Sequence, residues 1–359
     1  EYLLLIVAGI FLFTNYLSLF LLNTSVGFLH WLPVVVWILC AGSGTYVLNK
    51  YLSDYDRLLF PIVMLLAGWG LVSIDRLTPA FADRQTIWLI IAVIALLTVA
   101  TLPHPLRWLR NYRYLWLLLG LLLLGATIVF GTNPSGTAGS PQLWLGFGNI
   151  FFQPSEALKI LLVVFLASYL GEEYPLIRAE NTLGETSAFA LSPRVLGPVF
   201  LMFGLTLITL VWQRDLGTAT LFFLVFIVLM YAASGNLFVF VGGGILLAIV
   251  SVIAYSLFGV VQLRVDIWIN PWLEADGNAF QIIQSLQAVA AGGIFGQGIG
   301  QGAPYYIPVV HSDFIFAAIA EEWGLLGITS LIISILTISW SGLRSAVQQS
   351  NAFYSLLSI

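Results

Sequence analysis

Charged side chains are scarce in this sequence, and several of them stand where long apolar runs begin or end. Glu156 and Lys159 are three residues apart, so on a helix they share one face and can form an ion pair. Asp215 follows Arg214 in a short polar turn, where its carboxylate can cap the next helix. Asp313 comes directly before another apolar run, a position that suits a helix cap or a general base. Together these residue types indicate proton transfer close to a bound anionic group.

Each of these residues also has a structural interpretation, which the sequence leaves open. Glu156 and Lys159 can lock two helices together, or they can line a polar cavity in which Lys159 contacts an anionic substrate. Glu321 and Glu322 lie roughly 12 Å beyond Asp313, at a helical rise of about 1.5 Å per residue. Because ionisable side chains at membrane depth are costly, we expect at least one of these two acids to face protein or water.

The elements that must position these residues are apolar helices. Hydrophobic residues make up 60% of the sequence and charged residues 8%, with a mean hydropathy of +0.98. This composition excludes a soluble domain, because too much apolar surface would face water. Spanning helices need about 20 mostly apolar residues, so we predict an all-α integral membrane protein, a polytopic transmembrane helix bundle with about ten spans. The predicted spans are residues 2–22, 31–49, 58–74, 86–102, 114–130, 154–170, 195–212, 216–232, 237–257 and 314–340.

The distribution of basic residues predicts the orientation, since cytoplasmic loops carry an excess of Lys and Arg. The loop with Arg107, Arg110 and Arg113 holds no acid, whereas residues 131–153 hold no charge at all. The first loop is therefore placed inside and the second outside, which predicts a cytoplasmic N-terminus and an extracytoplasmic working face. The basic residues that this orientation leaves outside are Arg76, Arg84, Arg214 and Arg264.

The longest segment between predicted spans, residues 258–311, is extracytoplasmic in this topology and is rich in Gly, Pro, Gln and aromatic residues. Loops longer than about 15 residues are usually functional or disordered, and the apolar stretches of this one predict re-entrant or interfacial segments. Its glycine-dense part, residues 292–302, suits a bend or a close approach of backbone to a ligand. A nucleotide-binding loop is disfavoured there, because no strand precedes it. Asp266 and Asp276 are further acids of this segment, and an ordinary turn explains Asp276 equally well.

Six motifs resemble, in order and spacing, the shape, elongation, division and sporulation (SEDS) family of RodA- and FtsW-like proteins. They are residues 152–159, 213–218, 280–285, 292–302, 313–317 and 321–324. The resemblance predicts two additional N-terminal transmembrane helices in residues 1–49 and a SEDS-like membrane domain in residues 50–359. We expect this domain to stop before the family's final C-terminal spans.

The resemblance implies a peptidoglycan glycosyltransferase that polymerises lipid II on the extracytoplasmic face of the bacterial cytoplasmic membrane. It also implies a class B penicillin-binding protein as a partner that crosslinks the product. By motif, Asp313 is similar to the catalytic carboxylate. The other matched positions, expected around the substrate, are Glu156, Lys159, Asp215, Gln284, Ser285 and Glu321.

In that chemistry a base takes the proton of the acceptor sugar hydroxyl while the donor sugar leaves a polyprenyl pyrophosphate. Asp313 is the expected base, and Lys159 and Arg264 are the candidates for stabilising the pyrophosphate. A divalent cation, Mg or Mn, could share that task, although no ligand set is evident in the sequence. We expect no organic cofactor and no nucleic acid among the ligands; membrane lipids surround the chain.

Three positions depart from the family pattern and leave the substrate detail open. Leu143 stands where Arg is usual, Arg214 where Pro is usual, and Val309 where Glu is common. Each change removes or moves a charge. Two other functions therefore stay open: a flippase or transporter of the same lipid-linked precursor, and a non-catalytic scaffold of a cell-wall synthesis complex.

Overall fold

The computed structural model describes residues 1–22, 27–52, 55–102, 105–133, 142–147, 150–182, 215–275 and 277–359, with scattered positions between 197 and 211. Within those residues, 9 helices are long and apolar enough to cross a membrane, so the chain is a multi-pass membrane protein. They confirm nine of the predicted spans. The remaining one, residues 195–212, lies mostly outside the described residues.

The described α-helices are numbered here in chain order, and most of them are membrane spans. They are α1 Tyr2–Leu22, α2 Leu32–Tyr51, α3 Leu59–Leu77, α4 Ala82–Thr101, α5 Pro105–Asn111, α6 Arg113–Phe130, α7 Pro154–Thr182, α8 Leu216–Ser234, α9 Leu237–Leu257, α10 Gly259–Ile269, α11 Phe280–Gly292, α12 Ile315–Gln348 and α13 Ala352–Ser358. Short 3-10 helices cover Phe28–Trp31, Pro79–Phe81, Pro271–Glu274 and Pro304–Tyr306.

The chain forms two compact units, and the first comprises Glu1–Pro103 and Ala254–Ser341. In this unit α1 packs on α3, and α2 packs on both α3 and α4. Trp37 of α2 is buried, and its indole N–H donates to the Met64 carbonyl of α3 at 2.7 Å. A Cβ on Gly44 would lie 2.2 Å from the Phe60 ring, so glycine at this position allows α2 and α3 to approach closely.

The second unit comprises His104–Ile253 and Gly342–Ile359. Helix α7 is its centre, because α6, α8 and α13 all pack against it. The fully buried residues Leu162 and Phe165 of α7 belong to one apolar cluster with Leu117 and Phe222 of the flanking helices. At the end of this packing, Arg113 of α6 forms an ion pair with Glu172 of α7.

A small antiparallel sheet precedes α7 in the second unit. Its strands are β1 Gly131–Thr132, β2 Trp144–Phe147 and β3 Ile150–Phe152, in the order β1-β2-β3. Leu145 of β2 pairs with Gly131 on one side and Phe152 on the other. The all-α class is confirmed, and this sheet is an addition that the apolar runs did not indicate.

The extracytoplasmic segment predicted between the last two spans is largely helical. Helix α11 has 13 residues and therefore reaches only about 20 Å, less than the roughly 30 Å of a hydrocarbon core. It ends where the glycine-dense stretch begins. This geometry suits the re-entrant or interfacial segment that the sequence predicts.

Candidate functional site

The helix that follows Asp313 is broken at Gly324, and the glycine-dense stretch closes the break. Gly324 has φ 65° and ψ −160°, which interrupts the α12 hydrogen-bond ladder. Residues 292–303, called here the glycine segment, run alongside. The N–H groups of Gln297 and Gly298 donate to the carbonyls of Glu321 and Glu322 at 2.8 and 3.0 Å. Backbone groups left unpaired by the break are thus satisfied by another segment of the same unit.

Two further hydrogen bonds join α12 to the glycine segment just after the break. The N–H groups of Leu325 and Leu326 donate to the carbonyls of Gly293 and Ile294 at 2.9 and 3.2 Å. A Cβ on Gly296 would lie 2.2 Å from the Glu322 carbonyl oxygen. Glycine is therefore required at this position by close backbone contact. The segment is hydrogen-bonded to α12 on both sides of the break.

The two adjacent acids of α12 are both buried in protein, as expected for at least one of them. Oε1 of Glu321 accepts a hydrogen bond from the Ala303 N–H at 2.8 Å. Oε2 of Glu321 is buried and has no hydrogen-bond partner among the described residues. Oε1 of Glu322 accepts from the Gly300 N–H and from Arg76 Nε, each at 3.0 Å. Both carboxylates hold the glycine segment.

Arg76, at the end of α3, was not among the predicted site residues. Its Nη2 donates to the Gly302 carbonyl at 3.1 Å while its Nε donates to Glu322. Arg76 also lines a cavity of about 360 Å³, together with Asp75 and His30, which form a pair 3.2 Å apart. In the sequence, the feature that singles out Arg76 is that the predicted topology places it outside, against the general bias of basic residues.

Asp313 is exposed and lies two residues before the first residue of α12. Its Oδ1 accepts a hydrogen bond from the Ser312 hydroxyl at 3.0 Å, and its backbone N–H donates to the Val309 carbonyl at 3.2 Å. Val309 has φ 54°, a rare conformation for a β-branched residue. The loop that presents the carboxylate is therefore a strained turn held by its surroundings, and the carboxylate faces outward from it.

The loop before Asp313 carries aromatic and basic neighbours. The His311 ring lies 5.6 Å from the Phe81 ring, over which the Arg84 guanidinium lies at 5.9 Å. Arg84, which the predicted topology also places outside, was not among the predicted site residues. A side-chain hydrogen bond to Tyr306 raises the pKa of Tyr305.

The other predicted residues of this unit are placed as follows. Arg264 is exposed on α10, and the nearby Asp266 accepts a hydrogen bond from the Tyr255 hydroxyl at 3.0 Å. Gln284 is half-buried on α11. The Ser285 hydroxyl is buried and donates to the Ile282 carbonyl of its own helix at 2.7 Å. Asp276 lies outside the described residues.

In the second unit, Glu156 and Lys159 form the predicted ion pair on the first turns of α7, with Nζ 2.7 Å from Oε2. The two side chains are 58% and 33% exposed, so neither is locked inside the helix packing. Asp215 caps α8, since its Oδ1 accepts from the Thr218 N–H at 3.2 Å. Its neighbour Arg214 lies outside the described residues.

Comparison with known proteins agrees with the motifs. Residues 55–359 match the cell cycle protein family of FtsW, RodA and SpoVE. The peptidoglycan glycosyltransferase RodA of Mycobacterium tuberculosis is 33% identical over 329 residues, covering 88% of this chain and 69% of its own length. The stage V sporulation protein E of Bacillus subtilis is 30% identical over 320 residues, covering 85% of this chain and 82% of its own.

Among solved structures, a chain of a peptidoglycan synthase complex that coordinates polymerization and crosslinking superposes with a TM-score of 0.66. It is 24% identical in sequence, and the match covers 85% of this chain and 82% of that one. At this identity the likeness speaks for the fold. It supports the helical architecture described above.

Proposed function

This chain belongs to the cell cycle protein family of FtsW, RodA and SpoVE, and from that membership we propose that it polymerises lipid II into peptidoglycan strands. Relatives that share about a third of its sequence carry the name peptidoglycan glycosyltransferase. The observation that carries the proposal is the exposed carboxylate of Asp313, presented on a turn anchored to the broken helix α12. We place this chemistry on the extracytoplasmic face of the bacterial cytoplasmic membrane.

In the proposed reaction Asp313 is the general base. It takes the proton of the acceptor sugar hydroxyl, whose oxygen forms a bond to the anomeric carbon of the donor sugar. The bond between that carbon and the pyrophosphate oxygen breaks, and the polyprenyl pyrophosphate leaves with the electron pair. The Ser312 hydroxyl donates to one carboxylate oxygen and so fixes the direction in which Asp313 points.

The leaving pyrophosphate gains negative charge, and we assign Lys159 and Arg264 to it. Each side chain is at least partly exposed and therefore accessible from outside its own unit's packing. A positioned cation stabilises developing charge best where water is excluded. Glu156 orients Lys159 through the ion pair. Asp215 and Gln284 are partly exposed and stay proposed substrate-binding residues, whereas the buried Ser285 and Glu321 would act by supporting the fold of the first unit.

The same proposal includes a divalent cation, Mg or Mn, that could share the stabilisation of the pyrophosphate. Within the part of the chain that the structure describes, no three His, Cys, Asp or Glu side chains come together as a metal site. The steps above use side chains of the chain itself. Polymerisation with and without EDTA, followed by Mg or Mn addition, tests the requirement.

The central experiment supplies lipid II to the purified protein in lipid and compares the wild type with Asp313→Asn. Glycan polymer from the wild type, lost in Asp313→Asn and kept in Asp266→Asn, is the expected result. The control removes another exposed acid of the same unit. Lipid II crossing the bilayer without polymer indicates a flippase, and binding of partners without either activity indicates a scaffold.

We also propose a class B penicillin-binding protein as partner, because a fold match comes from a peptidoglycan synthase complex. Co-purification of the two from membranes, with crosslinked rather than linear glycan as product, is the expected outcome. A chain that purifies alone and makes linear glycan at an unchanged rate when the transpeptidase is added contradicts this part.

A further inference from the structure

Arg76 forms an ion pair with the buried Glu322, which lies 246 positions later in the sequence. Its Nε lies 3.0 Å from Glu322 Oε1, and the side chains are 20% and 2% exposed. Its Nη2 reaches the Gly302 carbonyl at 3.1 Å. The planar guanidinium thus holds a side chain of α12 and the backbone of the glycine segment at once, which a single ammonium group cannot do with the same geometry.

Residues 300–303, which Arg76 contacts, are held by three hydrogen bonds. Glu322 accepts the Gly300 N–H at 3.0 Å and Glu321 accepts the Ala303 N–H at 2.8 Å, while Arg76 donates to the carbonyl of Gly302. Residues 300–303 therefore have three polar ties within four positions. Removing the cation leaves the buried Glu322 carboxylate without its neutralising charge.

The chain from this stretch to Asp313 is held at each step. Ile307 and Val310 are buried in one apolar cluster. Between them, the Pro308 carbonyl accepts a hydrogen bond from Gln281 Nε2 at 2.6 Å. The Val309 carbonyl then accepts the Asp313 N–H. Residues 300–303 and the turn that presents the carboxylate are thus parts of one continuous stretch, and both ends of it contact α12.

We propose that Arg76 is a positioning residue of the glycosyltransferase: by holding Glu322 and the glycine segment, it fixes the turn that aims Asp313. This inference rests on the proposed function, in which Asp313 is the base. It makes Arg76 act through the loop and not through contact with lipid II.

Kinetics give the first test. Arg76→Lys keeps the positive charge but cannot donate to Glu322 and Gly302 with the geometry of the guanidinium. Arg76→Gln loses both the charge and that geometry. We expect polymerisation kcat to fall about 10- to 100-fold, as for a misplaced catalytic group, with the KM for lipid II within twofold of wild type. Arg57→Gln, which removes an exposed cation from the same unit, should leave both constants unchanged.

A distance measurement gives the second test and does not depend on activity. Cysteines introduced at the exposed positions Gln85 and Tyr306, with the single native Cys40 replaced by Ala, take spin labels for pulsed EPR. We expect one narrow distance distribution with Arg76, a broader one with Arg76→Lys and a still broader one with Arg76→Gln. Arg57→Gln should reproduce the narrow distribution.

The outcomes separate the two proposals. If the wild type makes no polymer, the proposed function fails, and the EPR distances alone decide whether Arg76 holds the loop. If Arg76→Lys keeps the wild-type kcat and the narrow distribution, the positioning role is overturned. A raised KM at constant kcat overturns it too, because that result means direct contact with the substrate. Should Arg76→Gln not fold, Arg76→Lys carries both tests.

Discussion

The indole nitrogen of Trp323 donates a hydrogen bond to the side-chain oxygen of Asn15, 3.2 Å away. This bond ties the first helix of the chain to the helix that follows Asp313, one residue before its break at Gly324. The family match begins at residue 55, so helix α1 precedes it and still supports its broken helix. The N-terminal helices are therefore integral to the first unit.

The contribution of this bond can be measured by a double-mutant cycle with Asn15→Leu and Trp323→Phe. Interhelical hydrogen bonds in membranes are worth about 0.6 kcal/mol, with an upper range near 2 kcal/mol. We expect a coupling free energy of that size from unfolding in mixed micelles. Trp340→Phe, at an exposed position of the same helix, should show no coupling free energy with Asn15→Leu. Additive effects of Asn15→Leu and Trp323→Phe would contradict the tie.

The break in α12 gives a sharper prediction. At Gly324 a Cβ would lie 2.3 Å from the Gly296 nitrogen, and φ is 65°. Gly324→Ala should therefore destabilise the protein by several kcal/mol, roughly the sum of left-handed strain and a steric clash. Thermal unfolding in detergent measures this effect.

Gly70→Ala is the matched control, because nothing lies within 4 Å of a Cβ there and the residue is in the middle of α3. It should be neutral or stabilise by up to about 1 kcal/mol. Equal melting temperatures for Gly324→Ala and the wild type would mean that α12 runs unbroken through this position.

Local features of the fold were predictable from the sequence. Apolar runs of span length have one stable arrangement in lipid, because every backbone group must be paired within the segment. The Glu156–Lys159 pair and the Asp215 cap follow equally from spacing of three residues, and both are present. These are contacts within one helix, for which the 3.6-residue period is sufficient information.

Long-range contacts were not predictable in the same way. Arg76 and Glu322 are 246 positions apart, and periodicity does not say which helices lie side by side. The break at Gly324 was missed because a glycine in a helix normally signals only a modest propensity cost. The break is stabilised by the backbone of the glycine segment, which forms hydrogen bonds with α12 on both sides of Gly324. The short strands around Leu145 gave too weak a pattern to compete with the flanking apolar runs.

Asp215 combines two roles that substitutions can separate. Asp215→Ala loses the cap on α8 and should lower the free energy of unfolding by about 1 kcal/mol, whereas Asp215→Asn keeps the cap and should cost close to nothing. If the charge serves the substrate, both variants lose polymerisation. Unfolding and lipid II assays on the same preparations decide the matter. Full activity of Asp215→Asn would leave Asp215 as a helix cap alone.

Lys159 offers the clearest separation of stability from function. Its ion pair with Glu156 is partly exposed, and exposed pairs contribute about 0 to 1 kcal/mol. Lys159→Gln should therefore leave the unfolding curve nearly unchanged. Because loss of one group that stabilises developing charge costs about 100-fold or more in rate, polymerisation should fall far more than stability does.

Two further variants complete this test. Lys159→Arg keeps the positive charge and should retain part of the rate, while Lys50→Gln, at an exposed position of α2, should retain all of it. Glu156→Gln should act mainly through the orientation of Lys159 and so give a smaller loss than Lys159→Gln. A wild-type rate for Lys159→Gln would mean that other cations stabilise the leaving pyrophosphate. Arg264→Gln should then lose polymerisation activity.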